Sequence, residues 1–242
     1  MRLPALRYAN RMLNELELTG RARTHVVQRD DLRAAIHAEA LEPFLDMQAD
    51  AARDGLELAL TSAFRDFAAQ QRIWDMKFRG ERPLYDEHGN ERDRSALTEE
   101  STVDAILCWN ALPGASRHHW GSDLDVIDRA AMPEGYRVRL TIDEYEPGGL
   151  FHRLREWLDA NAARYGFFRP YRTFRGGVRP EPWHMSYGPV AVPALSAMSP
   201  DLLGAAVEAS DMLGKAIVLR RLRGLYDAYV ANVDAPDASI AA

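Results

Sequence analysis

The stretch Ser116-Arg-His-His-Trp-Gly-Ser-Asp-Leu-Asp125 joins a strand pattern to side chains that bind metals. Polar and apolar residues alternate from Ser122 to Ile127, which predicts a β-strand. On such a strand Asp123 and Asp125 face the same side. The stretch therefore places candidate metal ligands on or beside a short strand.

Two further segments hold reactive side chains, Ser62-Ala-Phe-Arg65 and Glu181-Pro-Trp-His184. Each is weak evidence alone, because a chain with seven histidines produces such spacings by chance and a lone histidine is more often structural. Two imidazoles and one carboxylate suit a catalytic zinc ion, which keeps a fourth position for water and makes that water a nucleophile near neutral pH. Glu181 is the candidate to accept the proton. Pro182 excludes a helical His-Glu-x-x-His site, so the metal site is expected on strands and turns.

Helices and strands are mixed around these segments and do not follow a regular βαβ order, which predicts the α+β class. Helices are predicted from Asp30–Asp31 to Gly55, after Asp66, over Thr102–Leu112, over Leu150–Tyr165 and from Val192 onward. Strands are predicted at Leu56–Thr61, Ser122–Ile127, Phe167–Pro170 and Trp183–Tyr187. The polar segment 80–100 is predicted to be a long loop, a rim or lid. We expect an N-terminal arm over 1–29, a catalytic domain over 30–190 and a C-terminal helical appendage over 191–242.

Composition excludes several classes of protein. The 242 residues have a formal net charge of −6, which argues against non-specific nucleic-acid binding. Cys108 is the single cysteine, so neither an intramolecular disulfide nor a cysteine-rich zinc cluster is possible. No apolar run reaches the length of a membrane span, and the N-terminus does not resemble a signal peptide. We therefore expect a cytoplasmic protein, or one exported by another route.

One basic segment allows two interpretations. Phe167–Arg179 places aromatic residues among Arg169, Arg172, Arg175 and Arg179, a pattern found on protein surfaces that bind nucleic acids. Because the chain is acidic overall, a solvated loop beside the cleft is the preferred interpretation. An intermediate one is that these arginines attract acidic stem peptides.

The three reactive segments together resemble the LAS metallopeptidases, which comprise lysostaphin-type enzymes, D-Ala-D-Ala peptidases and hedgehog domains. Ser116–Asp125 matches their Ser-x-His-x-x-Gly-x-Ala-x-Asp pattern, and Glu181–His184 matches the Glu-x-x-His of the D-Ala-D-Ala branch. Ser62–Gln70 is similar to the Ser-Gly-Tyr-Arg-Ser…Gln segment of VanY-type carboxypeptidases. Order and spacing agree over roughly residues 30–189.

The resemblance implies a small antiparallel sheet that carries one Zn²⁺ and is flanked by helices. It makes His118, Asp125 and His184 the zinc ligands and Glu181 the general base. Arg65 would bind a substrate carboxylate or stabilise the oxyanion, and further substrate contacts would come from Gln70, Ser116 and Trp183.

Some positions keep an alternative. Trp183 is as well suited to the core as to the pocket. Asp123 stands where the family pattern has alanine, so it is interpreted as a partner behind the ligands or as the true ligand. His119 is interpreted as a packing or hydrogen-bonding residue.

The function implied is a zinc-dependent carboxypeptidase that releases D-alanine from peptidoglycan stem peptides or muropeptides. DD- and LD-carboxypeptidase activity both remain open. The alternatives are an endolysin-like peptidoglycan endopeptidase and a non-catalytic module that binds zinc or peptidoglycan. Retention of Glu181 and Arg65 argues against the last.

Overall fold

The structure is a computed structural model, and it describes residues 11–236. Its helices are α1 (Glu15–Leu18), α2 (Ala38–Arg53), α3 (Phe67–Arg79), α4 (Glu99–Leu107), α5 (Ile142–Tyr145), α6 (His152–Asn161), α7 (Gly188–Ala197), α8 (Pro200–Glu208) and α9 (Lys215–Tyr229). Its strands are β1 (Val26–Val27), β2 (Ile36–His37), β3 (Leu58–Ser62), β4 (Asp123–Asp128), β5 (Phe167–Phe168) and β6 (His184–Tyr187). Short 3₁₀ helices lie at Arg94–Ala96, Arg117–Trp120, Arg129–Ala131 and Ala162–Tyr165.

A four-stranded antiparallel sheet with the order β3-β4-β6-β5 forms the centre of the fold. Leu60 pairs with Val126 across β3 and β4, and Asp125 pairs with His184 across β4 and β6. A second sheet consists of β1 and β2 alone. Helices flank both sheets, so the predicted α+β class with a small antiparallel sheet is confirmed.

The two faces of the central sheet have different neighbours. Leu124, Val126 and Met185 point to one face, where they pack with apolar residues of α2, β3 and α6. Because side chains alternate along a strand, Asp123, Asp125 and His184 point to the opposite face. The strand alternation therefore supplies both a core and a polar site.

A second hydrophobic cluster joins α3 and α4 to the last helices of the chain. The buried Trp74 on α3 donates a hydrogen bond from Nε1 to the carbonyl of Leu213, at 2.9 Å. Trp120, which follows the two adjacent histidines, is buried in the same cluster. Helix α7 spans residue 190, the predicted end of the catalytic domain.

Four predicted helices begin at other residues. Helix α6 begins at His152 rather than Leu150, and α7 begins at Gly188 rather than Val192. Helix α2 begins at Ala38 rather than after Asp31, because Ile36–His37 pairs with β1 and the His37 side chain caps the helix. Helix α4 begins at Glu99 rather than Thr102, because Thr98 supplies the cap by accepting a hydrogen bond from the Ser101 amide.

Within residues 11–236 no single helix is both long enough and apolar enough to cross a membrane. Helices α7 and α8, bent by 79° at their junction, meet the length and composition requirements only as a pair.

Candidate active site

His118, Asp125 and His184 converge on the polar face of the central sheet. Each offers one ligand atom, and the three atoms lie within 4.8 Å of one another. Nε2 of His118 is 3.4 Å from Oδ2 of Asp125, and Nδ1 of His184 is 3.3 Å from Oδ1 of Asp125. All three side chains are buried. The sequence-predicted ligand residues are therefore neighbours, and their common point is a candidate metal centre.

The other ring nitrogen of each histidine has its own partner. Nδ1 of His118 lies 2.8 Å from the carbonyl oxygen of Ala63, and Nε2 of His184 lies 2.9 Å from Oδ1 of Asp123. Both partners accept hydrogen bonds, so each outward nitrogen carries a proton and the inward nitrogen is the one that can bind a metal. Oδ1 of Asp125 has no hydrogen-bond partner among the described residues, although it is buried.

Asp123 lies behind His184 and is fixed by a buried network. Arg117 donates from Nε to Oδ1 of Asp123 at 2.7 Å and from Nη2 to Oγ of Ser186 at 2.6 Å. Ser122 donates to Oδ2 of Asp123 at 2.8 Å. Burial alone would raise the pKa of Asp123, but Arg117 and His184 hold it well below its usual range. The two aspartates thus contact opposite nitrogens of the same imidazole, Asp125 from inside the cluster and Asp123 from outside it.

Glu181 borders the same cluster. Its Oε2 lies 3.2 Å from Nδ1 of His184, and its backbone amide donates to the carbonyl of Tyr171 at 2.9 Å. Burial raises the pKa of Glu181 above its usual value. A buried carboxylate whose pKa is raised in this way is suited to exchanging protons.

The two imidazoles have opposite charge preferences. Burial lowers the pKa of His118 to about 4, so this ring is neutral at pH 7. Burial would also lower the pKa of His184, but Asp123, Asp125 and Glu181 raise it well above its usual value. Three carboxylates around one imidazole therefore form a centre that favours a proton or another cation.

Arg65 lies in the cleft wall and is held by two neutral side chains. It donates from Nη1 to Oε1 of Gln70 at 2.8 Å and from Nη2 to Oγ of Ser62 at 3.1 Å. Gln70 in turn donates to the carbonyl of Ala111 at 2.8 Å. Arg65 has no ion pair with Asp66 or Glu181, so its guanidinium is positioned without being neutralised.

The three candidate ligands, Glu181 and Arg65 line a cleft of about 930 Å³. Ser116 and Trp183 both line it, and both are buried, with Trp183 packed 5.8 Å from the ring of Tyr145. Trp183 therefore serves the core and the cleft wall together. Residues 85 and 87–89 of the predicted loop also line the cleft, which places part of that loop at the rim.

Tyr171 was not singled out in the sequence. It lines the cleft, and its ring centroid lies 5.1 Å from that of His184 in an edge-on arrangement. Burial raises its pKa to about 12, so its hydroxyl keeps its proton. Its only sequence signal is its place in the aromatic and basic segment before Glu181.

The structure makes two interpretations from the sequence more precise, one for His119 and one for the basic segment. His119 packs away from the cluster, with Nδ1 at 2.6 Å from the carbonyl of Arg65 and Nε2 accepting from the amide of Gly114 at 3.1 Å. In the basic segment, Arg169 pairs with Asp159 and Arg175 lies 3.6 Å from Asp234. Half of its four arginines are therefore already neutralised.

Comparisons with known proteins show what the chain is similar to. A sequence model of the family described as VanY, D-alanyl-D-alanine carboxypeptidase, matches residues 33–190. An uncharacterized protein of Haemophilus influenzae is 35% identical over 127 residues, which cover 52% of this chain and 95% of that protein. A D-alanyl-D-alanine carboxypeptidase of Enterococcus faecalis is 30% identical over 151 residues, which cover 61% of this chain and 46% of that protein.

Among solved structures, VanYB in complex with D-alanine-D-alanine has the same fold, with a TM-score of 0.51 and 21% sequence identity. The match covers 78% of this chain and 91% of that chain. The resemblance found in the sequence motifs is confirmed.

Proposed function

Because the chain belongs to the VanY family of D-alanyl-D-alanine carboxypeptidases, we propose that it is a zinc-dependent enzyme that removes the terminal D-alanine of peptidoglycan stem peptides. The observation that carries this proposal is the convergence of His118, Asp125 and His184 beside Glu181 in one cleft.

The donor set fits one zinc ion. Once zinc displaces the inward proton of His184, two neutral imidazole nitrogens and a carboxylate oxygen form the ligand set that is usual in hydrolases with an open fourth position. An unpartnered buried oxygen such as Oδ1 of Asp125 costs about 1–3 kcal/mol unless a ligand satisfies it. Asp123 and the carbonyl of Ala63 orient the two rings as outer partners do in metal sites. Zinc bound here would lower the pKa of a water molecule and polarise the scissile carbonyl.

Glu181 is the proposed general base. It is buried at the edge of the cluster, where it accepts a proton from the attacking water and passes it to the departing amine of D-alanine. Its raised pKa favours the first of these transfers, because a more basic carboxylate takes a proton from water more readily.

Arg65 is proposed to bind the anionic part of the substrate. Gln70 and Ser62 fix the guanidinium, and its remaining N–H groups are available to a carboxylate or to the developing oxyanion. Ser116 and Trp183 line the same cleft and are proposed as further contacts.

The proposal is tested by mass spectrometry of products from defined muropeptides. Release of D-alanine from a pentapeptide assigns DD-carboxypeptidase activity, and release from a tetrapeptide assigns LD-carboxypeptidase activity. Cleavage of a cross-link between two stems would assign endopeptidase activity instead. A folded, zinc-loaded protein that cleaves none of these substrates would contradict the proposal and favour a binding module.

A further inference from the structure

The cationic side chains that line the cleft differ in whether they have a carboxylate partner. Four arginines and lysines line it, namely Arg65, Lys77, Arg117 and Arg139. Arg117 pairs with Asp123, and Arg139 pairs with Asp143. Within residues 11–236, Arg65 and Lys77 have no carboxylate at ion-pairing distance.

The carboxylates that line the cleft do not neutralise the positive charge of Lys77. Glu87 and Glu146 also line the cleft, but Glu87 lies 3.3 Å from Arg92 and Glu146 lies 2.6 Å from Arg155. The contact recorded for the Lys77 ammonium is a hydrogen bond from Nζ to the carbonyl of Pro83 at 3.3 Å. Lys77 is half-buried, and burial lowers its pKa, with Arg82 adding to the effect. An ammonium partly removed from water gains more from a carboxylate than an exposed one does.

Helix α3 carries Lys77 and also Gln70, the residue that holds Arg65. Gln70, which holds Arg65, and Lys77 are seven residues apart, so they lie on the same side of the helix. At 1.5 Å per residue this separation is about 10 Å along the helix axis. An extended peptide advances about 3.3 Å per residue, so this axial separation corresponds to about three residues of a bound peptide.

We propose that Lys77 is a specificity-determining residue that binds a second carboxylate of the substrate, on a residue N-terminal to the scissile bond. This inference rests on the proposed carboxypeptidase function, and it narrows the substrate class to peptides with two anionic groups. One is the terminal carboxylate or the oxyanion at Arg65, and the other is an internal acidic side chain or free α-carboxylate at Lys77. The four-carbon stem of lysine widens the reach to between about two and four residues.

The test uses peptides with the C-terminus that the muropeptide assay shows to be cleaved, D-Ala-D-Ala or a single D-alanine, and with glutamate or glutamine two, three or four residues from that end. Glutamate and glutamine have nearly the same shape, so a difference in cleavage between the two peptides measures the effect of the negative charge. We expect the zinc-loaded wild type to prefer glutamate at one position by about fivefold to tenfold in kcat/KM, mainly through KM. Lys77→Met removes this preference, and Lys77→Arg retains most of it.

Arg72→Met is the matched control, because it removes one positive charge from an exposed position on the same helix that does not line the cleft. It should keep the wild-type preference for glutamate. Melting temperatures of all variants separate loss of recognition from loss of folding. Equal cleavage of glutamate and glutamine peptides by the wild type would overturn the inference. So would a Lys77→Met variant that loses the same factor on both peptides.

Failure of the proposed function gives a different result. If the zinc-loaded wild type cleaves no peptide, binding of the peptides with either C-terminus is measured by calorimetry. A Lys77-dependent preference for glutamate in binding would then support the carboxylate site without catalysis. No Lys77-dependent difference in binding would overturn it.

Discussion

At the scale of single residues, the site is defined as much by the partners behind the ligands as by the ligands themselves. Asp123 stands where the family pattern has alanine, and it accepts hydrogen bonds from both Arg117 and His184. This carboxylate fixes the orientation of the His184 ring and assigns its proton to Nε2. The departure from the pattern thus adds a buried ion pair that supports the cluster from outside.

Replacing Glu181 by glutamine tests the division between metal binding and proton transfer. Glutamine has the shape of glutamate but cannot accept the proton, so zinc should stay bound while the release of D-alanine falls by about 10² to 10⁴. Zinc content by elemental analysis and D-alanine release by a coupled assay measure the two effects separately.

Two further variants complete that experiment. His118→Ala should lose the metal outright, whereas Arg65→Ala should keep it and raise KM, lower kcat, or both. Full turnover by a folded, zinc-loaded Glu181→Gln protein would contradict the assignment of Glu181 as the base. A lower melting temperature without a kinetic effect would make Arg65 structural.

At the scale of elements, the short 3₁₀ helix that carries His118 depends on Gly121. This glycine has φ of 65°, and a Cβ there would lie 2.6 Å from Cγ1 of Val26 and 2.9 Å from the amide nitrogen of His37. Its carbonyl also accepts the hydrogen bond from that amide, at 2.8 Å. The close approach of β2 therefore requires a residue without a side chain.

Gly121→Ala should destabilise the protein by more than the backbone term alone and weaken zinc binding, because His118 lies three residues away. The matched control is Gly135→Ala, where φ is 76° and nothing lies within 4 Å of the added carbon. The control isolates the left-handed backbone penalty of about 1–2 kcal/mol. Equal melting temperatures and zinc affinities for the two variants would show that the contact with β2 is unimportant.

Local sequence patterns predicted the elements whose causes are local. The alternation around Leu124 gave β4, and Asp66 gave the start of α3, where its side chain accepts from the Ala69 amide at 2.7 Å. The start of α2 was wrong because Ile36 pairs with Val27 on β1, a contact that periodicity does not contain. The start of a helix was harder to predict where the residues expected in its first turn pair with another segment instead.

The site shows the same limit. The motifs named the three residues that meet, because their types and order carry the chemistry. They did not reveal that Tyr171 and Lys77 line the cleft, because segments distant in sequence come together to form it. Nor did they show that Gln70 holds Arg65, since that contact depends on how α3 leaves β3.

At the scale of the whole molecule, the candidate metal centre lies where three hydrophobic clusters meet. Trp120, two residues after His118, belongs to the cluster of α3, α4 and the last helices. Leu124, next to Asp125, belongs to the cluster of α2 and α6, and Trp183, next to His184, belongs to a third with Tyr145. A metal ion bound by these three residues would link all three clusters.

Removing zinc should therefore lower the stability of the entire chain. A ligand that binds only the native state stabilises it by about 4.1 kcal/mol at a free concentration of 1,000 times Kd. For a chain of this size about 1 kcal/mol shifts the melting temperature by about 2–4 °C, so chelation should lower it by about 8–16 °C. Calorimetry of zinc-loaded and chelated protein measures the shift.

The control is Asp125→Asn, which removes one charged ligand and should make the melting temperature nearly independent of zinc. If the wild type melts at the same temperature with and without the metal, the centre does not join the clusters. An equal shift in Asp125→Asn would place the stabilising zinc elsewhere, because this carboxylate offers the buried oxygen that has no other partner in the described chain.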